Sequence, residues 1–353
     1  MKGSSELVGQ ACAGRRPERA PIFDVFQNDA VIAHFAGRSL DGTDDEDVMI
    51  RAAANGMDGT RHVLPPWRPG EFFIDEAGNR HDTFRWTHWV TVHAFTSPGQ
   101  WVPWLRAQTE KLEALQPPTD EERARERDRQ AALGARLGDT LFIHCTPGSA
   151  FNTVMFVYRC GLEALPYLWA DEPDLIRRFM RAVMADTIRY IELTAHRATS
   201  SLSMIYSDVA YHGKLMFAPA HMREMGFFDD IAGICEACHR AGLQVIFHSD
   251  GYIMEILDDL IACGIDGLNP LEKAAGMDIY KVRRRYPRLI LVGGVDVSRL
   301  MPFGTPEQVR RETRRIIAET GAEGRLLIGS TTEIGNDIPL DNYLAFHDEA
   351  TKG

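Results

Sequence analysis

The run Gln244-Val245-Ile246-Phe247-His248-Ser249-Asp250-Gly251 decides how the chain folds. Three apolar residues lead into His-Ser-Asp-Gly, and a helix-like segment over residues 253–263 follows at once. This pattern predicts a buried parallel strand that delivers polar side chains at its C-terminal end, with Gly251 permitting a sharp exit. His248 and Asp250 stand two apart, so they face the same side of the strand. In an α/β barrel that end of the strand carries the chemistry. The plainer alternative is that both residues only cap the next helix.

Outward from this run the rhythm is regular. Strands are expected at 202–208, 244–250, 265–270, 289–296 and 325–330, alternating with helices at 221–241, 253–263, 278–286, 305–320 and 339–350. Alternation of this kind means a parallel sheet. Towards the N-terminus, 20–26, 57–64 and 140–145 read as three further strands, and 117–137 and 171–198 as long helices. Eight strands predict an α/β fold of the closed (β/α)8 TIM-barrel type rather than an open sheet. Residues 72–75 and 83–87 flank the turn cluster Glu76-Ala77-Gly78-Asn79, so a β-hairpin insertion is expected over 71–92, covering the mouth. Residues 1–19 read as a flexible lead-in, and 1–353 as one barrel domain. No glycine fingerprint for a dinucleotide or a P-loop is present.

Composition narrows the partners. The chain has 353 residues and a formal net charge of -11, without a dominant basic patch, which argues against nucleic acid and anionic membranes. It contains no apolar run of about 18 residues. Six cysteines, mostly in apolar or helical contexts, suit a reducing cytoplasm without structural disulfides.

Polar residues recur at strand ends: Asp24, His144, Asp208, His248 with Asp250, Asn269 with Glu272, Asp296 and Ser330. In a barrel they converge on one mouth. His248, Asp250 and Glu272 form a set able to hold zinc with one position open, or an acid–base trio without metal. Cys235-Glu236-Ala237-Cys238-His239 matches a haem-attachment pattern, but it lies within an expected outer helix and reads as a face with two packed thiols. The arginine runs 283–285, 310–311 and 314–315 read as outer faces paired with local acids. Phe23, Trp67, Trp86, Trp89 and Tyr211 are candidates for an apolar pocket, or simply core.

The C-terminal half resembles the uroporphyrinogen decarboxylase superfamily. The resemblance is carried by Tyr206-Ser207-Asp208, His239 to Gly242, Phe247 to Gly251, Gly264 to Glu272, Gly276-Met277-Asp278, Gly293 to Asp296, Gly304 to Val309 and Asp337 to Asn342. Pro17 to Pro21 resembles the family's lead into the first strand. The resemblance implies a TIM barrel with one of two chemistries. Haem-pathway decarboxylases clamp their substrate with paired arginines after the first strand; here that stretch is Asp24-Val25-Phe26-Gln27-Asn28-Asp29. Corrinoid-linked methyltransferases of the thiol-acting kind bind zinc through His-x-Cys and a distant Cys; here His248 is kept, Asp250 replaces the first Cys, and Ser330 stands near the second. A hard donor set does not suit a thiol acceptor. The resemblance therefore implies a methyltransferase or O-demethylase component, moving methyl between a small methylated substrate and a cobalamin on a partner protein. His248, Asp208 and Asp250 would be catalytic, and Tyr206, Asn269, Asp296 and Ser330 would bind substrate. A decarboxylase of uroporphyrinogen or a related acid, and a non-catalytic binding barrel, are the alternatives. Inward arginines would favour the decarboxylase.

Overall fold

The computed structural model describes residues 3–157 and 160–352. Six parallel strands lie side by side in the order His144–Pro147, Leu202–Tyr206, Gln244–His248, Gly267–Asn269, Ile290–Val295 and Leu326–Ser330. Short segments complete the circuit. Ile22 bridges Ile328, Phe23 bridges Gly59, and Gly59–Thr60 pairs with Leu141–Phe142, which runs on into His144–Pro147. The sheet thus closes on itself as the eight-stranded α/β barrel that the sequence predicts.

Alternate residues of each strand face inward, because successive side chains point to opposite sides. Phe23, Ile143, Leu202, Met204, Ile246, Ile290, Val292 and Leu327 fill the interior. Their neighbours Ile205, Val245, Phe247, Leu268, Leu291 and Ile328 pack outward in the larger core shared with the helices. The segment read as a flexible lead-in is a helix, Ser4–Cys12. It sends Val8, Ala11 and Cys12 into the interior cluster, and Ala11 accepts a backbone hydrogen bond from Arg325 ahead of the eighth strand. The apolar residues of a short amphipathic turn therefore close the N-terminal end of the barrel.

Several boundaries differ from the sequence reading. The second strand spans Gly59–Thr60 rather than 57–64. The Thr60 hydroxyl donates to the Asp24 carbonyl at 2.8 Å, and Pro65 and Pro66 lack the N–H groups a longer ladder needs. The third strand continues to Pro147. The helix expected at 221–241 is two helices, Pro219–Glu224 and Phe227–Arg240, parted at Gly226 in the left-handed region (φ 78). The insertion is a three-stranded antiparallel sheet, Phe72–Ile74, Arg80–Thr83 and His88–Val92. Residues 84–87, expected to be a strand, form its second turn, closed by Phe84 N–H to the Thr87 carbonyl at 2.8 Å. Arg85 ties the sheet to Asp29 at 2.6 Å, just beyond the first barrel strand. No helix of the described residues is long and apolar enough to cross a membrane.

Closure of the barrel is tightest at Gly329, where a Cβ would stand 1.8 Å from the Phe23 carbonyl oxygen. Gly329→Ala is therefore expected to cost about 3 kcal/mol or more, because backbone rather than a flexible side chain must yield. Gly233→Ala, on the helix Phe227–Arg240 with open space around it, should stabilise by roughly 0.5–1 kcal/mol. Urea unfolding of the two variants checks both signs.

Candidate functional site

The register of the parallel strands sets one rung of the site. His248 lies opposite Tyr206 on one side and Asn269 on the other, so all three side chains enter the barrel at the same level. The His248 Nδ1 is 2.5 Å from the Asn269 Oδ1, and the Asn269 amide donates to the Val292 carbonyl at 3.0 Å. Because that amide is spent on Val292, the oxygen must accept, and Nδ1 of His248 carries the proton. Nε2 is left with its lone pair towards the mouth, 3.8 Å from the Asp208 Oδ1. Burial holds the imidazole below its usual pKa, with the Asp208 charge opposing. The residue is 5% exposed.

Two residues beyond the fourth and fifth strands, Asp208 and Asp250 meet. Asp208 accepts the Asp250 backbone N–H at 3.1 Å. Asp250 is pushed up to about 7, first by burial and then by the charges of Asp208, Glu272 and Glu333, against Arg61. Its Oδ1 is buried without a hydrogen-bond partner. Such an oxygen is costly to desolvate unless something positive meets it. Gly251 makes the approach of the two loops possible: its φ is +83, and a Cβ there would lie 2.5 Å from the Tyr211 nitrogen.

Donor atoms of Asp208, His248 and Asp250 all lie within 4.8 Å of one another. A neutral imidazole nitrogen and two carboxylates, one of them with the orphaned Oδ1 of Asp250, fit a divalent cation such as zinc. Glu272, expected as the third ligand, instead accepts the Gly251 N–H at 3.2 Å, and Asp208 takes its place.

The other expected residues divide. Tyr206 packs its ring 4.8 Å from that of His248. Ser330 donates to the Asp24 Oδ1 at 2.7 Å and gives its N–H to Oδ2, which joins the eighth strand to the first. Burial pushes Asp24 up to about 7. Asp296 caps the N–H groups of Ser298 and Arg299 in a local turn. His144 is a mid-strand residue, not a strand end; it faces outward with both nitrogens 2.8 Å from hydroxyls, of Ser203 and Thr194. Cys235 and Cys238 are buried on the helix Phe227–Arg240, and His239 bonds Asp266. Trp67 and Trp89 are exposed at or near the small sheet, and Phe23 lies in the barrel interior. Arg283 does not pair with an acid but donates to four carbonyls, of Thr320, Pro287, Leu289 and Arg325.

Two residues of the site are not among those the sequence singles out. Arg61 stands over the Tyr206 ring at 4.9 Å and pairs with Glu333 at 2.5 Å. Arg61 directly follows the second strand, so the strand-end rule finds it once that strand is known to stop at Thr60. Glu333 lies three residues past the eighth strand and carries no such signal.

A protein-family model described as uroporphyrinogen decarboxylase (URO-D) matches residues 103–353. No curated protein matches the chain. Among solved structures, a methyltransferase from Methanosarcina mazei shares the fold, with a TM-score of 0.66 and 15% identity over 99% of this chain and 98% of that chain.

A zinc or cobalt(II) titration tests the ligand set. Affinity should fall as pH drops below about 7, because Asp250 takes up the proton that competes with the cation. Asp250→Asn should bind more weakly and lose that pH step. Asn269→Leu, which frees the imidazole to turn, should weaken binding about 10- to 100-fold. Unchanged affinity in both variants would show that the cation sits elsewhere.

Proposed function

The chain belongs to the uroporphyrinogen decarboxylase family, and on that premise we propose that it is a methyltransferase or O-demethylase component. It moves a methyl group between a small methylated substrate and a cobalamin carried by a partner protein. The observation that carries this reading is the charge of the mouth. Asp208, Glu272 and Glu333 act on Asp250 beside His248, and the charge of Arg61 there is balanced by Glu333. A polycarboxylate substrate would add unpaired negative charge to such a site, at a large desolvation cost. A neutral or cationic methylated substrate meets no such cost.

The residues of the chain would act as follows. His248, fixed in one tautomer by Asn269, presents Nε2 with Asp208 and Asp250 to a cation. When bound, the cation supplies Lewis acidity to the heteroatom that carries the methyl group, and the corrinoid supplies the nucleophile that receives it. Asp250 would serve beside Asp208 as a carboxylate ligand, the cation taking the place of the proton that the metal-free residue holds up to about 7. Tyr206 shields one face of the imidazole and excludes water from it. The donor set is nitrogen and oxygen throughout, which favours an oxygen or nitrogen methyl donor over a thiol.

The test is methylation of reduced cobalamin, followed by its absorbance, with a panel of methyl ethers and methylamines and the metal-loaded protein. His248→Ala should lower the rate at least about a hundredfold with an unchanged circular dichroism spectrum, given the several kcal/mol that Lewis acidity contributes. Release of CO₂ from uroporphyrinogen without methyl transfer would instead establish the decarboxylase.

A further inference from the structure

The ladder between the second and third barrel strands is short. The second and third strands pair through Gly59–Thr60 and Leu141–Phe142, with backbone bonds from the Leu141 N–H to the Asp58 carbonyl and from the Ile143 N–H to the Thr60 carbonyl. Above that point Arg61 and His62 diverge from His144 and Cys145. The gap leads outward into a cavity of about 1020 Å³ under the helix Asp120–Leu137. That helix has 18 residues and fully buries one of them, Leu137. Its inner face, with Leu133 and neighbouring alanines, roofs the cavity, and the helix meets the barrel at Leu141–Phe142.

The lining has two chemistries. Val63, Leu133 and Phe142 give an apolar middle. Arg61, His62 and Cys145 form the inner end. Burial and the Arg61 charge keep His62 below its usual pKa, and burial pushes the Cys145 thiol up to about 11, so Arg61 is the cation of that end. Arg61 is 16% exposed in its side chain and has five N–H donors, yet its one hydrogen bond among the described residues is to Glu333. The Arg61 donors that Glu333 does not take remain available to an acceptor in the cavity. The charged groups at the outer end already pair with each other, Arg129 with Glu126 and Arg136 with Glu46.

We propose that this cavity is a binding site for an amphipathic monocarboxylate, its anion on the free edge of Arg61 and its apolar body between Leu133, Phe142 and Val63. The volume suits a medium-length chain or a ring with a short acid arm. The site is separate from the metal centre and does not rest on methyl transfer. Tyr206 lies between the two, under Arg61 on one side and against His248 on the other.

Calorimetric titration of the full chain with octanoate and with 1-octanol decides the matter. Octanoate should bind at least about tenfold more tightly than the alcohol, the difference expected of one charge-assisted hydrogen bond. Arg61→Gln should bring octanoate to the level of the alcohol. Leu133→Trp, which fills the roof from an outer helix and leaves the barrel untouched, should weaken both probes, and it decides the question should the arginine variant fail to fold. His248→Ala should bind octanoate as the parent does. Equal affinity of the parent for the two probes, full octanoate binding to Leu133→Trp, or its loss in His248→Ala would each overturn the proposal.

Discussion

The parallel register across the fourth, fifth and sixth strands is the constraint on which the site depends. It places Tyr206, His248 and Asn269 on one rung, so the imidazole is gripped from both sides by backbone geometry alone. A slip of one residue would turn all three side chains into the helix layer. The register is fixed below by the interior residues Met204 and Ile246, and beside it by Gly267, where a Cβ would meet Ile246 and Ile290 within 3 Å. The packing that makes the barrel is therefore the same packing that aims Nε2 at the mouth.

From that aim the electrostatics follow. An imidazole with its Nδ1 proton tied to Asn269 can meet acids only as an acceptor or a ligand unless it takes a second proton, and burial opposes that proton. Two carboxylates then lie beside it, and the charge of the nearby Arg61 is balanced by Glu333. The cost shows in Asp250, whose oxygen is orphaned and whose proton affinity rises to about 7. A site so arranged is unfavourable as it stands and becomes favourable when a positive centre arrives, which is the logic of a cation-binding cluster rather than of a structural ion pair.

The barrel was legible from the sequence because six strands are short apolar runs bounded by turn residues, and because polar groups recur at one end of them. Leu202–Tyr206, Gln244–His248 and Leu326–Ser330 lie where the pattern puts them. The N-terminal strands were less legible for a physical reason. Residues 22–23 are held by single bridges, Gly59–Thr60 by a two-residue ladder, and both by side chains such as Thr60 and Asp58, so their sequences carry little strand periodicity. That weakness hid Arg61. Strand-end position found His248, Asp208 and Asp250, but it cannot tell a residue that faces the mouth from one that serves the fold. Ser330, Asp296 and His144 have the same sequence signature and are consumed by Asp24, by a turn and by two hydroxyls. What separates the two groups is the partner each side chain finds, and those partners are distant in the chain.

The same shortness of the second strand has a consequence for access. A closed barrel has no free edge, and its interior is reached through the mouth. Here the ladder between the second and third strands ends after two residues, so the wall opens just below the rung that holds His248. Arg61 occupies that opening. Its guanidinium lies over Tyr206, its carboxylate partner Glu333 comes from beyond the eighth strand, and its outer side lines the cavity. One residue thus adjoins both the rung that positions the imidazole and the space behind the wall. The short seam between the second and third strands thus brings the outer cavity, through Arg61 and Tyr206, to the rung that holds His248.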